Sequence, residues 1–283
     1  MIDTKLVPLV SVGVPVLNGA KYLTETLESI LSQTYPNIEI LISDNGSTDN
    51  TPIICLDYAK KDPRVKYEKQ PTNKGAAFNF LNVLTKATGT YFMWAAADDL
   101  WEKNYIATLV DEFGPDDLSV TSKVCFIDGE GKKTSECTLK AMTKENFLGA
   151  LVNTPHLALR MYGLFNRILL LKQDLSLVKE PIIGIDRAII NQLVWHGDMQ
   201  TTSKTTFFYR VHADNASSKL RSSKLQYAEY LFTPLRLYYY SIKSAPTYLH
   251  FFYWLIYPYW FLYHRQFELM SVLRKYQKIL RLR

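Results

Sequence analysis

The sequence predicts an α/β protein: a Rossmann-like, mostly parallel sheet with flanking helices, followed by a helical, aromatic-rich C-terminal extension. Three observations predict it. Four apolar, strand-like runs alternate with helical patterns over the first hundred residues, joined by short connections. Two of those runs end in acidic loops, and an open α/β sheet gathers such loops into one crevice at the C-terminal ends of its strands. Beyond Ser218 the composition shifts to leucine and aromatics and closes on a basic tail.

Val7 to Val16 is a nearly continuous valine-rich run, the mark of a strand buried on both faces, and Leu17-Asn18-Gly19 turns it. Leu23, Leu27, Ile30 and Leu31 then recur at helical spacing. Ile38 to Ile42 is the second strand and runs into the polar loop Ser43 to Asp49. The next helix opens near Thr51-Pro52, where proline suits the first turn. Val65 to Lys69 is a third strand, followed by a loop from Gln70 to Gly75 and a helix over Ala76 to Ala87. Tyr91 to Ala95 is the fourth strand. It delivers Asp98 and Asp99 past three alanines, which leave room beside the acids. Two readings of this pair stand side by side. Hard divalent cations take oxygen ligands and bridge carboxylates to phosphate. Alternatively, the acids cap a helix starting near Glu102.

In the second half, Val120 to Ile127 reads as a strand turned by Asp128 to Gly131, and Arg160 to Phe165 as another. Pro181 to Asp186 leads into an apolar-periodic helix, Ala188 to Trp195.

Composition narrows the function classes. With 21% charged and 47% hydrophobic residues the chain has a globular profile. Cys55, Cys125 and Cys137 are odd in number and widely spaced, which argues against a disulfide framework or zinc cluster and for a reducing compartment. Met1 to Leu9 lacks a basic start followed by a long apolar core, so no signal peptide is expected. No Gly-x-Gly-x-x-Gly or Walker-type lysine loop follows the first strand, which weakens dinucleotide and ATPase readings.

Four segments together resemble the GT-A nucleotide-sugar glycosyltransferases of family 2: Val12-Gly-Val-Pro-Val-Leu-Asn18, Asp44-Asn-Gly-Ser-Thr-Asp49, Asn73-Lys-Gly75 with Asn79, and Ala95-Ala-Ala-Asp-Asp99. The resemblance runs from Leu9 to Ser217. It implies a catalytic domain over residues 1–218, with a nucleotide-sugar half to about residue 100 and an acceptor half from 101, and a separate extension over 219–283. It implies an inverting transfer from a nucleoside-diphosphate sugar, UDP-linked as in many similar enzymes, to a glycan or lipid-linked hydroxyl acceptor, assisted by Mn or Mg. Pro15, Asn18, Asp44, Lys74 and Ala97 would serve the nucleotide, with Asp44 on the base and Asp49 steadying its loop. Asp98 matches the second acid of the Asp-x-Asp element and would bind the metal, with Asp99 in support; Ala96 replaces the first acid.

Similar enzymes carry a Glu followed by the catalytic Asp where this chain has Ile185-Asp186, so Asp186 would be the base. A carboxylate can take the proton of an attacking hydroxyl, and an apolar neighbour such as Ile185 would raise its pKa. The plainer reading of Asp186 is an N-cap. Phe207 to Ser217 resembles the segment that returns a Tyr-Arg-x-His group to the diphosphate: His212 would ligate metal or contact phosphate, and Arg210 would support the leaving group. A lone histidine is as readily structural. Two rivals follow from the same residues. One is a sugar-phosphate nucleotidyltransferase, which lacks here its basic glycine-rich loop. The other is a non-catalytic nucleotide-sugar-binding relative or partner subunit, kept open by Ala96 and Ile185.

The net charge is +6, and Arg265 to Arg283, with six basic residues and one acid, carries +5 of it. Just before it, Ala245 to Tyr263 contains no Asp, Glu, Lys or Arg and is dominated by Tyr, Phe and Trp. Pro258 interrupts the run, and Tyr and Trp favour the bilayer interface, so residues 245–283 read as an interfacial anchor on an anionic membrane surface. Packing on the catalytic domain or on a second copy, as a homodimer, is the next reading, and a membrane span the third. Aromatics and charges are segregated rather than interleaved, which argues against nucleic acid. The expected location is cytoplasmic and peripheral to the inner face of the cell membrane.

Overall fold

The computed structural model describes residues 7–143, 146, 157–172, 189–190, 193 and 196–213. The expected alternation is present: β1 (Val10–Val16), α1 (Leu23–Leu31), β2 (Ile38–Asp44), α2 (Thr51–Lys61), β3 (Val65–Lys69), α3 (Ala76–Lys86) and β4 (Tyr91–Trp94). Then come β5 (Leu100–Trp101), α4 (Tyr105–Asp111), β6 (Asp117–Ile127), β7 (Lys133–Cys137), a 3-10 helix (Leu157–Tyr162), β8 (Leu164–Asn166), α5 (Arg167–Leu171) and β9 (Asp198–Arg210). The strands form one sheet in the order β3-β2-β1-β4-β8-β6-β9-β5, with β7 on β6.

Strands β3, β2, β1 and β4 are parallel throughout. Their period-2 alternation sorts the core onto the two faces. Val10, Val12, Val14, Ile40, Ile42 and Met93 join Leu23, Leu27 and Ile30 of α1 and Cys55 of α2 on one face. Leu41, Phe92 and Trp94 meet Val83 and Leu84 of α3 on the other. Gly13 makes the close approach of α3 possible: a Cβ there would lie 2.7 Å from Val83 and 2.8 Å from Phe92. α1 closes its face because Leu23, Leu27 and Ile30 fall at i, i+4 and i+7.

The second half is mixed. β8 runs antiparallel to both β4 and β6, while β9 is parallel to β6 and antiparallel to β5. Five residues, 95–99, link a central strand to the far edge strand, so the sheet curls on itself.

Two sequence expectations change. The helix expected near Glu102 begins at Tyr105, because Leu100 and Trp101 first pair with Phe208 and Phe207 of β9. Asp98 and Asp99 therefore precede a strand and cap no helix. The strand expected over Arg160 to Phe165 is a 3-10 helix followed by a strand from Leu164. Gly163 stands at the bend, where a Cβ would lie 2.6 Å from the Val120 carbonyl. A short apolar run fits either state, and only sheet contacts decide between them. The strand expected over Val120 to Ile127 and its Asp128 turn are present, with Gly131 N–H donating to the Asp128 carbonyl at 3.1 Å. The helix expected over Ala188 to Trp195 is seen at Ile189, Ile190 and Leu193, which are buried in the α3 face of the core. The extension over 219–283 lies outside the described residues. Among the described residues no helix is long and apolar enough to cross a membrane.

Candidate active site

The C-terminal ends of β1, β2 and β4 meet along one edge, and three loops leave it. The first turns at Asn18, whose φ of 53° lies in the left-handed region that asparagine tolerates better than most residues. Its side-chain carbonyl accepts from Thr48 N–H at 2.9 Å, and its own N–H donates to Ser47 Oγ at 2.8 Å. Gly19 N–H donates to Thr51 Oγ1 at 2.9 Å and Ala20 N–H to Asp49 Oδ2 at 3.1 Å. Burial would push the Asp49 carboxyl up, but hydrogen bonds from Thr51 and Ala20 outweigh it and hold the group below its ordinary value. Asp49 thus laces the first two loops together, the steadying role expected of it. Pro15 is buried in β1 opposite Ser43. Ala97 backs the Asn18 turn, since a Cβ on Gly19 would lie 3.3 Å from the Ala97 methyl.

Asp44, at the end of β2, has no exposed surface. Its Oδ1 accepts from Ser47 N–H at 2.7 Å and its Oδ2 from the Tyr67 hydroxyl at 2.9 Å. Burial, then the bond to Asp44, pushes the Tyr67 phenol well up, so Tyr67 remains a donor to the carboxylate. The next residue, Asn45, donates to Asn73 Oδ1 at 2.9 Å and the Gly75 carbonyl at 3.0 Å, and accepts from Lys74 N–H at 2.9 Å. Gly46 has φ +82° and packs 3.0–3.2 Å (from an added Cβ) against the Thr72-Asn73 backbone, so only glycine fits where these loops touch. Lys74 Nζ reaches Gln70 at 2.9 Å and lies 4.6 Å from the Phe78 ring centre. Asn79 donates to the Val16 and Ser43 carbonyls, tying α3 to the ends of β1 and β2.

The third loop carries the acids. Asp98 Oδ2 lies 2.9 Å from His212 Nε2. Asp99 points inward, is 1% exposed, and accepts Arg210 N–H on Oδ1 at 2.7 Å. Its Oδ2 has no partner among the described residues. Burial, then the charge of Asp98, pushes the Asp99 carboxyl far above the usual range. Arg210 is also 1% exposed. Its guanidinium donates to the Asp98 carbonyl at 2.8 Å, the Gly129 carbonyl at 3.3 Å and Glu25 Oε2 at 2.7 Å, and lies 4.5 Å from the Tyr22 ring centre. The His212 ring packs 4.7 Å from the same tyrosine. Thr26 Oγ1 donates to the Asp99 carbonyl at 2.9 Å.

The structure therefore brings together Pro15, Asn18, Asp44 and Lys74 on one side and Ala97, Asp98, Asp99, Arg210 and His212 on the other. Arg210 is buried, and its guanidinium makes contacts to protein groups, the Asp98 and Gly129 carbonyls and Glu25. Asp186 and Ile185 lie outside the described residues. Sequence reading missed Tyr22, Glu25 and Tyr67. Tyr22 and Glu25 sit at the start of α1, far in sequence from β9, and nothing in their local pattern marks them. The alternation of β3 puts Tyr67 on the same face as Val65, one pleat from the end of β2, which is the signal that could have found it.

Known proteins share part of this sequence and its fold. The chain is 42% identical over 113 residues to Glycosyltransferase GlyG of Streptococcus pneumoniae serotype 4, a match spanning 40% of this chain and 37% of that one. The chain thus spans little more than a third of that relative. Among solved structures, S. aureus TarS residues 1-349 in complex with UDP-GlcNAc superposes with a TM-score of 0.62 at 21% identity, covering 80% of this chain and 66% of TarS. The mannosyltransferase PcManGT from Pyrobaculum calidifontis, in complex with GDP-Man and Mn2+, gives 0.56 at 19% identity, covering 86% and 73%. These likenesses show the GT-A fold. The family model described as Glycosyl transferase family 2 matches residues 11–169, more than half of the 283, and the chain belongs to that family.

Proposed function

We propose that the protein is an inverting glycosyltransferase that moves a sugar from a nucleoside-diphosphate sugar, UDP-linked by preference, to a hydroxyl of a glycan or lipid-linked acceptor in polysaccharide biosynthesis. The observation that carries this is the Asp98–His212 pair, 2.9 Å apart at the strand ends and across from the buried Asp44 loop. Asp44, Asn18, Pro15, Lys74 and Ala97 line the nucleotide side. Asp44 keeps its carboxylate aimed by two donors and offers its remaining lone pairs to a base N–H.

The residues fit a divalent cation. A carboxylate oxygen beside an imidazole nitrogen is a donor pair that Mn takes readily and Mg accepts through the carboxylate. Among the described residues no three His, Cys, Asp or Glu side chains converge. The remaining ligands would be diphosphate oxygens and water. Bound there, the ion would offset the charge that builds on the departing diphosphate. Asp99 and Arg210 hold Asp98 and His212 in register, and Asp186 takes the proton of the attacking hydroxyl in one in-line displacement.

A thermal-shift panel of UDP-, dTDP- and GDP-sugars, with and without manganese or magnesium, tests the donor site, because ligand bound to the native state raises the midpoint. The expected result is a metal-dependent rise with one nucleotide class, lost in Asp98→Ala. In transfer assays Asp186→Asn should keep that rise and lose on the order of 10²–10⁴-fold in turnover. Near-normal turnover in this variant would remove Asp186 as the base. The second reading, a relative that binds without transferring, is favoured by Ala96 and Ile185 at positions where similar enzymes carry acids. Metal-dependent hydrolysis of the donor sugar would exclude it.

We further propose that residues 245–283 hold the protein to an anionic membrane surface. Flotation with vesicles containing phosphatidylserine, lost on removing residues 245–283 and absent with neutral vesicles, is the expected outcome. Retention by the truncated protein would refute it.

A further inference from the structure

Arg160 lies in the 3-10 helix that leads into β8. Because β8 runs antiparallel to β4, with Leu164 opposite Met93, the residues before Leu164 continue past the C-terminal end of β4, on the same edge as Asp98. The neighbouring Tyr162 carbonyl accepts the Tyr105 hydroxyl at 2.9 Å, which fixes this segment against α4. Met161 shares its core cluster with Ile189, Ile190 and Leu193, the helical residues that follow Asp186 in sequence.

Arg160 is 1% exposed. One guanidinium nitrogen, Nη2, donates to the Lys140 carbonyl. Nε and Nη1, which carry three N–H hydrogens, have no acceptor among the described residues. No ion pair among the described residues includes Arg160. Arg210, the other fully buried arginine among the described residues, is the contrast: its guanidinium reaches two carbonyls and a carboxylate. Burial alone pulls the Arg160 guanidinium down to about 10, which still leaves it charged at neutral pH. A buried charge with open donors is costly, and folded proteins keep such groups paired. The planar fork of arginine matches the oxygens of phosphate and carboxylate.

We propose that Arg160 is the anion-recognising group of the acceptor subsite, and that the acceptor hydroxyl is presented by a molecule carrying a phosphate or a carboxylate. The anion supplies the acceptor that Nε and Nη1 do not find among the described residues, so acceptors lacking it bind less well. This rests on reading the second half as the acceptor side, which the metal-dependent nucleotide response through Asp98 tests separately.

The experiment uses the full chain, its Arg160→Met and Arg160→Lys variants, and Asp98→Ala as a control. Thermal midpoints are followed against inorganic phosphate and against acetate, with ionic strength held constant by sodium chloride. The wild type and Asp98→Ala should rise with the anion, more steeply for whichever of the two matches the acceptor. Arg160→Met should start close to wild type, since the bond to the Lys140 carbonyl is lost but so is a buried charge whose Nε and Nη1 have no acceptor among the described residues, and it should not respond. Arg160→Lys should respond more weakly. If Arg160→Met is destabilised beyond the loss of its one bond to the Lys140 carbonyl, or fails to fold, the chain itself satisfies the guanidinium and the proposal falls. An unchanged anion response in Arg160→Met overturns it as well. Once the donor is known, transfer to a sugar phosphate, a uronic acid and the corresponding neutral sugar completes the test. The anionic preference should be present in wild type and erased in Arg160→Met through KM; equal use of the neutral sugar by wild type would refute the acceptor assignment.

Discussion

The two halves of the molecule are held by different means. In the first, β1 to β4 lie parallel, and the loops at their ends bond mostly to one another, Asn18 to Thr48, Asp49 to Thr51 and Asn45 to Lys74. In the second, the functional end of β9 is fixed by partners distant in sequence: Arg210 reaches Asp99, 111 positions away, and Glu25, 185 away. The Asp44 side of the crevice therefore carries its own scaffold, and the Asp98–His212 side exists only once the sheet has curled. Damage to the first should stay local, whereas damage to the second should travel.

Arg210→Ala is the largest expected effect. It removes donors from the Asp98 and Gly129 carbonyls and from Glu25, takes the guanidinium charge away from the buried Asp99 while the main-chain N–H bond to Asp99 remains, and loosens the strand end that holds His212. A loss of about 3–5 kcal/mol is the scale for breaking such a buried network. Urea unfolding should show it, together with loss of the manganese response even where the protein remains folded. If the manganese response survives intact in folded Arg210→Ala, the strut does not position the metal pair.

That contrast explains what could be read from the sequence. The first half was legible element by element because valine runs, helical periodicity and turn residues each act within about fifteen residues. Motif order singles out Asp44, Asp98 and His212 in the sequence, and the structure places them at the ends of the strands. The inward turn of Asp99, the Tyr22 ring beneath Arg210 and His212, and the two-residue β5 were not legible, because each depends on β9 returning across the sheet. Arg160 to Tyr162 failed for a related reason: its apolar run fits strand or 3-10 helix, and Gly163 against Val120 decides.

A smaller effect sharpens the comparison at the opposite end of the parallel strands. Glu39 is 5% exposed and accepts from Ser11 Oγ at 2.6 Å, from the Thr88 N–H and hydroxyl, and from Lys66 at 2.7 Å. Burial alone would raise its carboxyl, but these donors, Lys66 first, lower it to about 2 from the ordinary 4.5. A depressed carboxyl contributes stability that is complete above its unfolded value and is lost as pH falls from about 4.5 towards 2. Glu39→Gln should cost about 2 kcal/mol at pH 7 and flatten the stability curve over that acid window. An unchanged acid limb would show that other carboxyls govern it.

The smallest effect tests whether the first half is as local as its bonding suggests. Asn18→Ala removes the acceptor for Thr48 N–H and places alanine at φ 53°, which together should cost about 1–2 kcal/mol. Asn18→Gly removes the same acceptor but relieves the backbone, so it should lose less than Asn18→Ala. Both variants should weaken the nucleotide-dependent midpoint shift, because the loop that frames Asp44 loosens, yet leave the metal affinity of the Asp98–His212 pair unchanged when it is measured without nucleotide. Parallel loss of metal affinity would mean that the Asn18 turn, through its contact with Ala97, sets the metal loop as well, and that the two sides of the crevice are one mechanical unit.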